Sequence, residues 1–171
     1  MKIQLTKQEM HECKILGVDT VTLVKMQSVK PRLENERQSR EDANVLGFMA
    51  EFAVAKLFGL KPTYLVVKSD YGIDLWWDDV SIDVKYTNNI KNGLIFDDPD
   101  SFKADVAILC APTEYSNVID VVGWVGRNRF LEDCHHHDFG YGDRLVLDAD
   151  DLDLVRDLWV KMSIRKFSPY G

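Results

Sequence analysis

The sequence predicts one α/β (α+β) domain, in which helices flank a central mixed β-sheet. Segments with helical spacing of their apolar residues open and close the chain, and segments with the apolar patterns of strands lie between them. The chain has 171 residues, 46% of them hydrophobic, so it is long enough to bury one core. It shows no internal repeat and no linker rich in proline, serine or glycine, and we therefore expect a single domain over residues 1–171.

The N-terminal part of the chain is expected to be helical. Thr6 and Glu9 have the spacing of a capping box, apolar residues follow at helical intervals, and Gly17 is a typical helix end. A second, short helix is expected over residues 19–28. The polar segment that follows, 29–40, is expected to be a loop.

The strongest helical signal is "EDANVLGFMAEFAVAKLFGL", with Asp42 as a candidate N-cap and Gly59 and Pro62 at its end. Beyond it, the apolar patterns predict a strand in "TYLVVK", a hairpin in "DYGIDLWWDDVSIDVKY", a polar loop over 88–103, strands in "ADVAILCA" and "NVIDVVGWV", and a closing helix in "DADDLDLVRDLW". The segment "CHHHD" at 134–138 is expected to be a polar loop rather than a zinc site, because neighbouring histidines point to opposite sides of an extended chain.

The composition limits the function classes. The three scattered cysteines, Cys13, Cys110 and Cys134, argue against a disulfide framework and favour a reducing compartment, so we expect a cytoplasmic protein. The chain has no apolar run of the roughly 18 residues that a membrane span requires, and "MKIQLTKQEMHECK" is too polar for the apolar region expected of a signal peptide. The net charge of -7 argues against tight binding to phosphates, although residues 20–40 are locally basic.

The predicted hairpin carries charges on one of its two faces. If Asp78 and Asp79 form the turn, alternation along the strands separates an apolar face from a polar one. The apolar face contains Ile73, Leu75, Trp77, Val80, Ile82, Val84 and Tyr86. The polar face contains Asp74, Trp76, Ser81, Asp83, Lys85 and Thr87. Trp76 is expected to pack under the N-terminal helices, with stacking on a base or sugar as the alternative.

This register would place Asp74 directly opposite Asp83, with Cβ atoms about 4.5–5.5 Å apart, where like charges destabilise a sheet. A divalent cation between them would turn the repulsion into a binding site, since Mg²⁺ commonly takes one or two carboxylates. Lys85, on the same face, could hold a water or stabilise charge on a phosphate. The alternative is an ordinary solvated face in which Lys85 offsets an aspartate.

The order Asp74, eight further residues, then Asp83-Val84-Lys85 across a hairpin resembles the motif of the PD-(D/E)XK nuclease superfamily, which includes restriction endonucleases and Holliday-junction resolvases. The helix "GFMAEFAVAKLFGL" is similar to the first helix of that family, with Glu51 where the family usually has a glutamate. Independently of the family, a glutamate among such apolar neighbours is unusual unless it is paired or metal-bound, or lies on the wet edge of the helix.

Further along the chain, "FKADVAILC" and "VIDVVGWVGRNRF" resemble later strands of small phage and bacterial members, in which Asp105 would be structural. The resemblance implies a restriction-endonuclease-like core over 42–130, preceded by a helical extension at 1–41 and followed by a C-terminal loop and helix at 131–171.

The resemblance also implies a function: hydrolysis of DNA by a Mg²⁺- or Mn²⁺-dependent deoxyribonuclease, expected to be an endonuclease. Asp74, Asp83 and the Val84 carbonyl would hold the metal, Glu51 would be a direct or water-mediated ligand, and Lys85 would position the attacking water. The candidate contacts to nucleic acid are Lys68, Arg127, Arg129 and Arg37. Many relatives act as dimers, so a homodimer is among the expected assemblies. The alternative function is a catalytically inactive nuclease-fold module that binds DNA or another protein.

Overall fold

The computed structural model describes residues 1–26, 40–61, 72–140 and 142–167. In chain order, the elements of these residues are β1 (Lys2–Gln4), α1 (Lys7–Met26), α2 (Arg40–Phe58), β2 (Leu75–Trp77), β3 (Val80–Tyr86), β4 (Leu94–Phe96), β5 (Val106–Pro112), β6 (Val118–Gly126), α3 (Arg127–Asp133), β7 (His135–Asp138), β8 (Asp143–Leu147) and α4 (Val155–Phe167). Short 3₁₀ segments occupy Ile90–Asn92 and Ala149–Asp151.

The strands form two sheets. The larger sheet has five strands in the order β1-β6-β5-β3-β2, and the smaller has three in the order β4-β8-β7. In the larger sheet β3 and β5 run parallel and the other neighbours are antiparallel. The predicted class, a mixed sheet accompanied by helices, is therefore confirmed. The restriction-endonuclease-like core stays a prediction.

The five-stranded sheet is covered on both faces by different apolar clusters. On one face, which we call the helical face, Ile82 and Val84 of β3 pack in a cluster with α1, α2 and α4. On the other face, which we call the phenylalanine face, the cluster includes Phe96, Phe102 and Phe130 together with residues of β5, β6 and β8. Phe96 and Phe102 stack with ring centroids 4.3 Å apart, and Phe130 meets them edge-on at 5.0 and 5.4 Å.

Helix α1 begins as predicted and ends later than predicted. The Thr6 amide donates to a Glu9 carboxylate oxygen at 2.5 Å and the Glu9 amide donates to the Thr6 hydroxyl at 3.2 Å, which confirms the capping box. The helix then continues through the buried Gly17 to Met26, so the predictions of an end at Gly17 and of a separate helix over 19–28 were wrong. A glycine costs a helix only about 1 kcal/mol, which the packing of α1 along α2 outweighs.

Helix α2 ends where the sequence indicated, because Gly59 follows it with a left-handed φ of 67°. Its start lies at Arg40, so Asp42 falls inside the first turn rather than at the N-cap. An acidic residue is favourable there too, since it faces the positive end of the helix dipole. The strand predicted in "TYLVVK" (63–68) lies outside the described residues, as does most of the loop expected over 29–40.

The smaller sheet was not expected from the sequence. The segment predicted as a polar loop, 88–103, contains β4, and "CHHHD" contributes β7 rather than a loop. The predicted C-terminal loop contains β8, which pairs with both of these strands. All three strands are short. Strand β4 pairs with a strand about 50 residues away, and β7 has no apolar residue, so local patterns did not reveal the sheet. In the part of the chain that is described, no helix has the length and apolar character needed to cross a membrane.

Candidate functional site

The hairpin has the predicted register. Leu75 pairs with Ile82, Trp76 with Ser81, and Trp77 with Val80. The turn is formed by the two aspartates at 78 and 79, and Asp78 has a φ of 55°, a left-handed conformation that aspartate tolerates better than most residues. Alternation then places Ser81, Asp83 and Lys85 on the phenylalanine face, opposite the apolar side chains of the same strand, and we call these three side chains the polar row.

The regular ladder ends at Leu75. The Asp74 amide donates to the Ile82 carbonyl at 2.9 Å, so Asp74 and Leu75 both face Ile82, as in a β-bulge. Ile73 consequently packs on the phenylalanine face and not on the helical face where we expected it. Asp74 is likewise not the direct cross-strand partner of Asp83. Its carboxylate reaches the backbone instead, where Oδ2 accepts the Val84 amide at 2.6 Å.

Asp83 and Lys85 form an ion pair at the centre of the polar row. Asp83 is 1% exposed, and its Oδ1 lies 2.7 Å from Nζ of Lys85, which is 37% exposed. The Lys85 ammonium also lies 5.1 Å from the centroid of the Phe96 ring. A buried carboxylate requires a charged or hydrogen-bonding partner, and Lys85 supplies one while keeping contact with solvent.

The backbone at Gly72 closes one side of this pair. A Cβ atom at this position would stand 3.8 Å from Oδ2 of Asp83 and 3.6 Å from the Ser101 carbonyl oxygen. Gly72 also has a left-handed φ of 79°, which favours glycine. Asp83 is therefore enclosed by the hairpin, by the segment before it and by the loop that follows β4.

Glu51 lies on α2, apart from the hairpin in sequence. It is partly buried on α2, which packs against the helical face. The Cys13 thiol of α1 is its described electrostatic neighbour: burial and the Glu51 charge together raise the pKa of Cys13 to about 12. Asp74, Asp83 and Lys85 thus belong to the hairpin, Glu51 belongs to the helix that packs on the helical face, and the predicted metal-ligand role of Glu51 stays a prediction.

Arg127 and Arg129, two of the predicted nucleic-acid contacts, line a cleft of about 890 Å³ between α3, α4 and the loop before β5. Arg127 donates to the carbonyls of Phe102 at 2.6 Å and Pro99 at 3.3 Å. Arg129 pairs with Asp153 at 2.7 Å and Asp133 at 3.2 Å. Both guanidinium groups therefore tie loops and helices together, and their role in nucleic-acid binding stays a prediction. Lys68 and Arg37 lie outside the described residues.

Asp105 has the structural role that the resemblance implied. Its Oδ2 accepts the Ser81 amide at 2.8 Å and the Ser81 hydroxyl at 2.5 Å, and the Asp105 amide donates back to the Ser81 carbonyl. These bonds join the start of β3 to the start of β5. They fix the register of the two parallel strands on which the polar row depends.

Two aromatic residues of the hairpin region lie elsewhere than the sequence predicted. Trp76 is 53% exposed, so the expectation that it packs under the N-terminal helices was wrong. The ring of Phe96 lies beside the Lys85 ammonium, although the sequence predicted that this residue belongs to a polar loop. The apolar run "GLIF" within that loop was the signal that could have revealed a buried strand.

The hairpin fits a divalent cation only in part. Two carboxylates and a backbone carbonyl are the hard oxygen donors that Mg²⁺ and Mn²⁺ prefer, and magnesium needs only one or two carboxylates if water completes its shell. Among the described residues, however, no group of three or more histidine, cysteine, aspartate or glutamate side chains could hold a metal ion. The donor types thus suit a magnesium site on Asp74 and Asp83 whose shell is completed by water, and the role of Glu51 as a further ligand stays a prediction.

Comparison of the chain with protein-family models, with curated proteins and with solved structures found no match.

Proposed function

We propose that the protein is a metal-dependent deoxyribonuclease that hydrolyses DNA phosphodiester bonds with Mg²⁺ or Mn²⁺, as an endonuclease. The observation that carries this proposal is the buried Asp83 held 2.7 Å from Lys85, with the Asp74 carboxylate on the neighbouring backbone amide of Val84. Two carboxylates and an ammonium group on a rigid hairpin provide the charges that phosphodiester hydrolysis needs. The proposal takes DNA as the partner, the cytoplasm as the compartment, and a homodimer as an assembly to be tested.

Each of the three side chains has a defined task in this proposal. Asp74 and Asp83 would hold the cation, which supplies Lewis-acid activation of the phosphate and a water of lowered pKa. Lys85 keeps its ammonium group at the solvent boundary, where it can orient a water or stabilise the negative charge that develops on the phosphate. The bond from the Val84 amide fixes the Asp74 carboxylate, so Asp74 would lose little side-chain entropy on holding a cation.

A plasmid-nicking assay with Mg²⁺ or Mn²⁺ tests the proposal. We expect the wild type to convert supercoiled plasmid to open circles, and Asp83→Asn or Lys85→Ala to lower the rate by roughly 100-fold or more, as is typical when a charge-stabilising group is lost. Lys91→Ala is the matched control, because it removes a positive charge from an exposed position outside the hairpin that is not among the candidate nucleic-acid contacts. Nicking that survives both hairpin substitutions would sink the proposal.

Binding of the cation can be measured without catalysis. A ligand that binds only the folded state raises the melting temperature, so Mg²⁺ or Mn²⁺ should stabilise the wild type. Asp74→Asn should reduce this increase, and Glu51→Gln should leave it unchanged, because Glu51 belongs to α2, which packs on the helical face. A Glu51→Gln variant that loses the increase would contradict a site whose only carboxylates are Asp74 and Asp83.

The second candidate is a nuclease-fold module without catalysis, which binds DNA or a protein. Two observations favour it: the described residues provide no cluster of three metal ligands, and the chain carries a net charge of -7. This candidate predicts no nicking of any substrate and no thermal stabilisation by the cation, with binding of DNA or a partner unaffected by Asp83→Asn.

A further inference from the structure

Trp76 is an exposed aromatic side chain in the middle of β2. Among the described residues β2 is the outermost strand of the five-stranded sheet, and Trp76 is 53% exposed while its neighbours Leu75 and Trp77 are buried. An indole in this position contributes little to the core and keeps a large aromatic surface in contact with solvent. Its place beside the candidate site indicates a role in binding.

Trp76 shares its face with the polar row. It pairs directly with Ser81, so it points to the same side as Asp83 and Lys85. Asp83 is its diagonal neighbour across the strands, and such neighbours, about 7–8 Å apart, are within reach of an aromatic ring. A ligand that touches the Lys85 ammonium can therefore also contact the indole.

The two side chains suit the two parts of a nucleotide. A phosphate is attracted to the Lys85 ammonium, and the indole offers a flat surface on which a base can stack. Bases inside a duplex already stack on both sides, so only an unpaired base can use this surface. The exposed carboxylates of Asp78 and Asp79 and the net charge of -7 disfavour long contacts with a duplex backbone, which leaves stacking as the main source of affinity.

We infer that Trp76 is a stacking platform for an unpaired base next to the Asp83–Lys85 pair, and that the substrate is single-stranded or locally unpaired nucleic acid. This inference rests on the proposed function, since it takes the polar row to be the site that meets the phosphate. Stacking tolerates any base, so the site selects for unpaired structure and not for sequence.

Fluorescence anisotropy with a labelled oligothymidylate of about 12 nucleotides, in EDTA to prevent cleavage, tests the inference. Trp76→Ala should weaken binding by about 5- to 150-fold, the usual worth of one stacked base, and Trp76→Phe should recover most of it. Trp159→Ala is the matched control, because Trp159 is similarly exposed, at 52%, on α4. The dependence of binding on salt should be the same for Trp76→Ala and the wild type, since stacking releases no counterions.

Three results would overturn the inference: equal binding by Trp76→Ala and the wild type, an equal loss in Trp159→Ala, or tighter binding of the wild type to the matched duplex than to the single strand. Because the assay excludes the cation, it separates this inference from the proposed function. Binding that needs Trp76, without nicking in the presence of Mg²⁺ or Mn²⁺, would overturn the nuclease proposal alone. Nicking with binding that ignores Trp76 would overturn the stacking platform alone.

Discussion

The two faces of the five-stranded sheet differ in what they bury. Strand β3 sends Ile82 and Val84 to the helical face, where their neighbours in the cluster are apolar. The same strand sends Asp83 to the phenylalanine face, where it is buried beside aromatic rings and paired with Lys85. The helical face needs only complementary shape, whereas the phenylalanine face carries a charge that is expensive to bury. The difference indicates that the helical face serves stability and that the polar row has another purpose.

The largest effect on stability is expected on the helical face. Ile82→Ala should lower the free energy of unfolding by about 2–5 kcal/mol, because Ile82 is fully buried and its removal leaves a cavity. Urea denaturation followed by circular dichroism measures the change, and Ile82→Val, which should cost about 0.5–1.5 kcal/mol, is the control. A loss from Ile82→Ala no larger than that from Ile82→Val would mean that the side chains of the helical face repack to fill the cavity.

Unlike a substitution on the helical face, the removal of both charges of the Asp83–Lys85 pair should not lower the free energy of unfolding. Lys85→Met alone leaves a buried carboxylate without its ammonium, so it should destabilise the protein, by less than the about 3–5 kcal/mol of a fully buried pair because Lys85 is 37% exposed. Asp83→Leu combined with Lys85→Met should be neutral or more stable than the wild type by about 1–4 kcal/mol, as apolar replacements of buried ion pairs often are.

The double variant is the sharpest test of the contrast between the faces. If it matches or exceeds the wild type in stability and fails to nick plasmid, the ion pair is kept for function at some cost in stability. If instead it is as unstable as Lys85→Met, the pair stabilises the fold, and the phenylalanine face has the same role as the helical face.

Local patterns predicted those parts of the fold that depend on local chemistry. The capping box of Thr6 and Glu9, the helix end at Gly59 and the hairpin register follow from spacings of a few residues, and all three are confirmed. The passage of α1 through Gly17 was not predictable in this way, because packing along α2 decides it. Strand β4 was missed for the same reason, since it is completed only by distant pairing with β8, whereas β7 was missed because its residues are polar although it pairs with β8 in a local hairpin.

Of the candidate site, the sequence predicted which side chains share a face of β3 but not the irregular backbone beside them. Alternation along β3 placed Asp83 and Lys85 on one face, as found. The shift at Asp74 could not be foreseen, because it depends on a carboxylate taking the Val84 amide in place of a ladder bond. The face that α2 covers could not be foreseen either, since the sequence does not say on which side of the sheet a helix packs.

The smallest effect is expected at the start of α1, which supports the helical face from its edge. Thr6→Ala should lower the free energy of unfolding by about 1 kcal/mol, and Thr6→Ser should retain most of the stability because a serine hydroxyl can accept the same bond from the Glu9 amide.

Although partial burial opposes it, the bond from the Thr6 amide, together with the Lys56 ammonium, lowers the pKa of Glu9 below 4.5. The stability that Glu9 contributes is therefore present above pH 4.5 and is lost as the pH falls through the lowered pKa. As the pH falls through this range, the free energy of unfolding should decrease less for Glu9→Gln than for the wild type. An equal decrease in both would mean that the charge of Glu9 adds no stability and that packing alone holds α1.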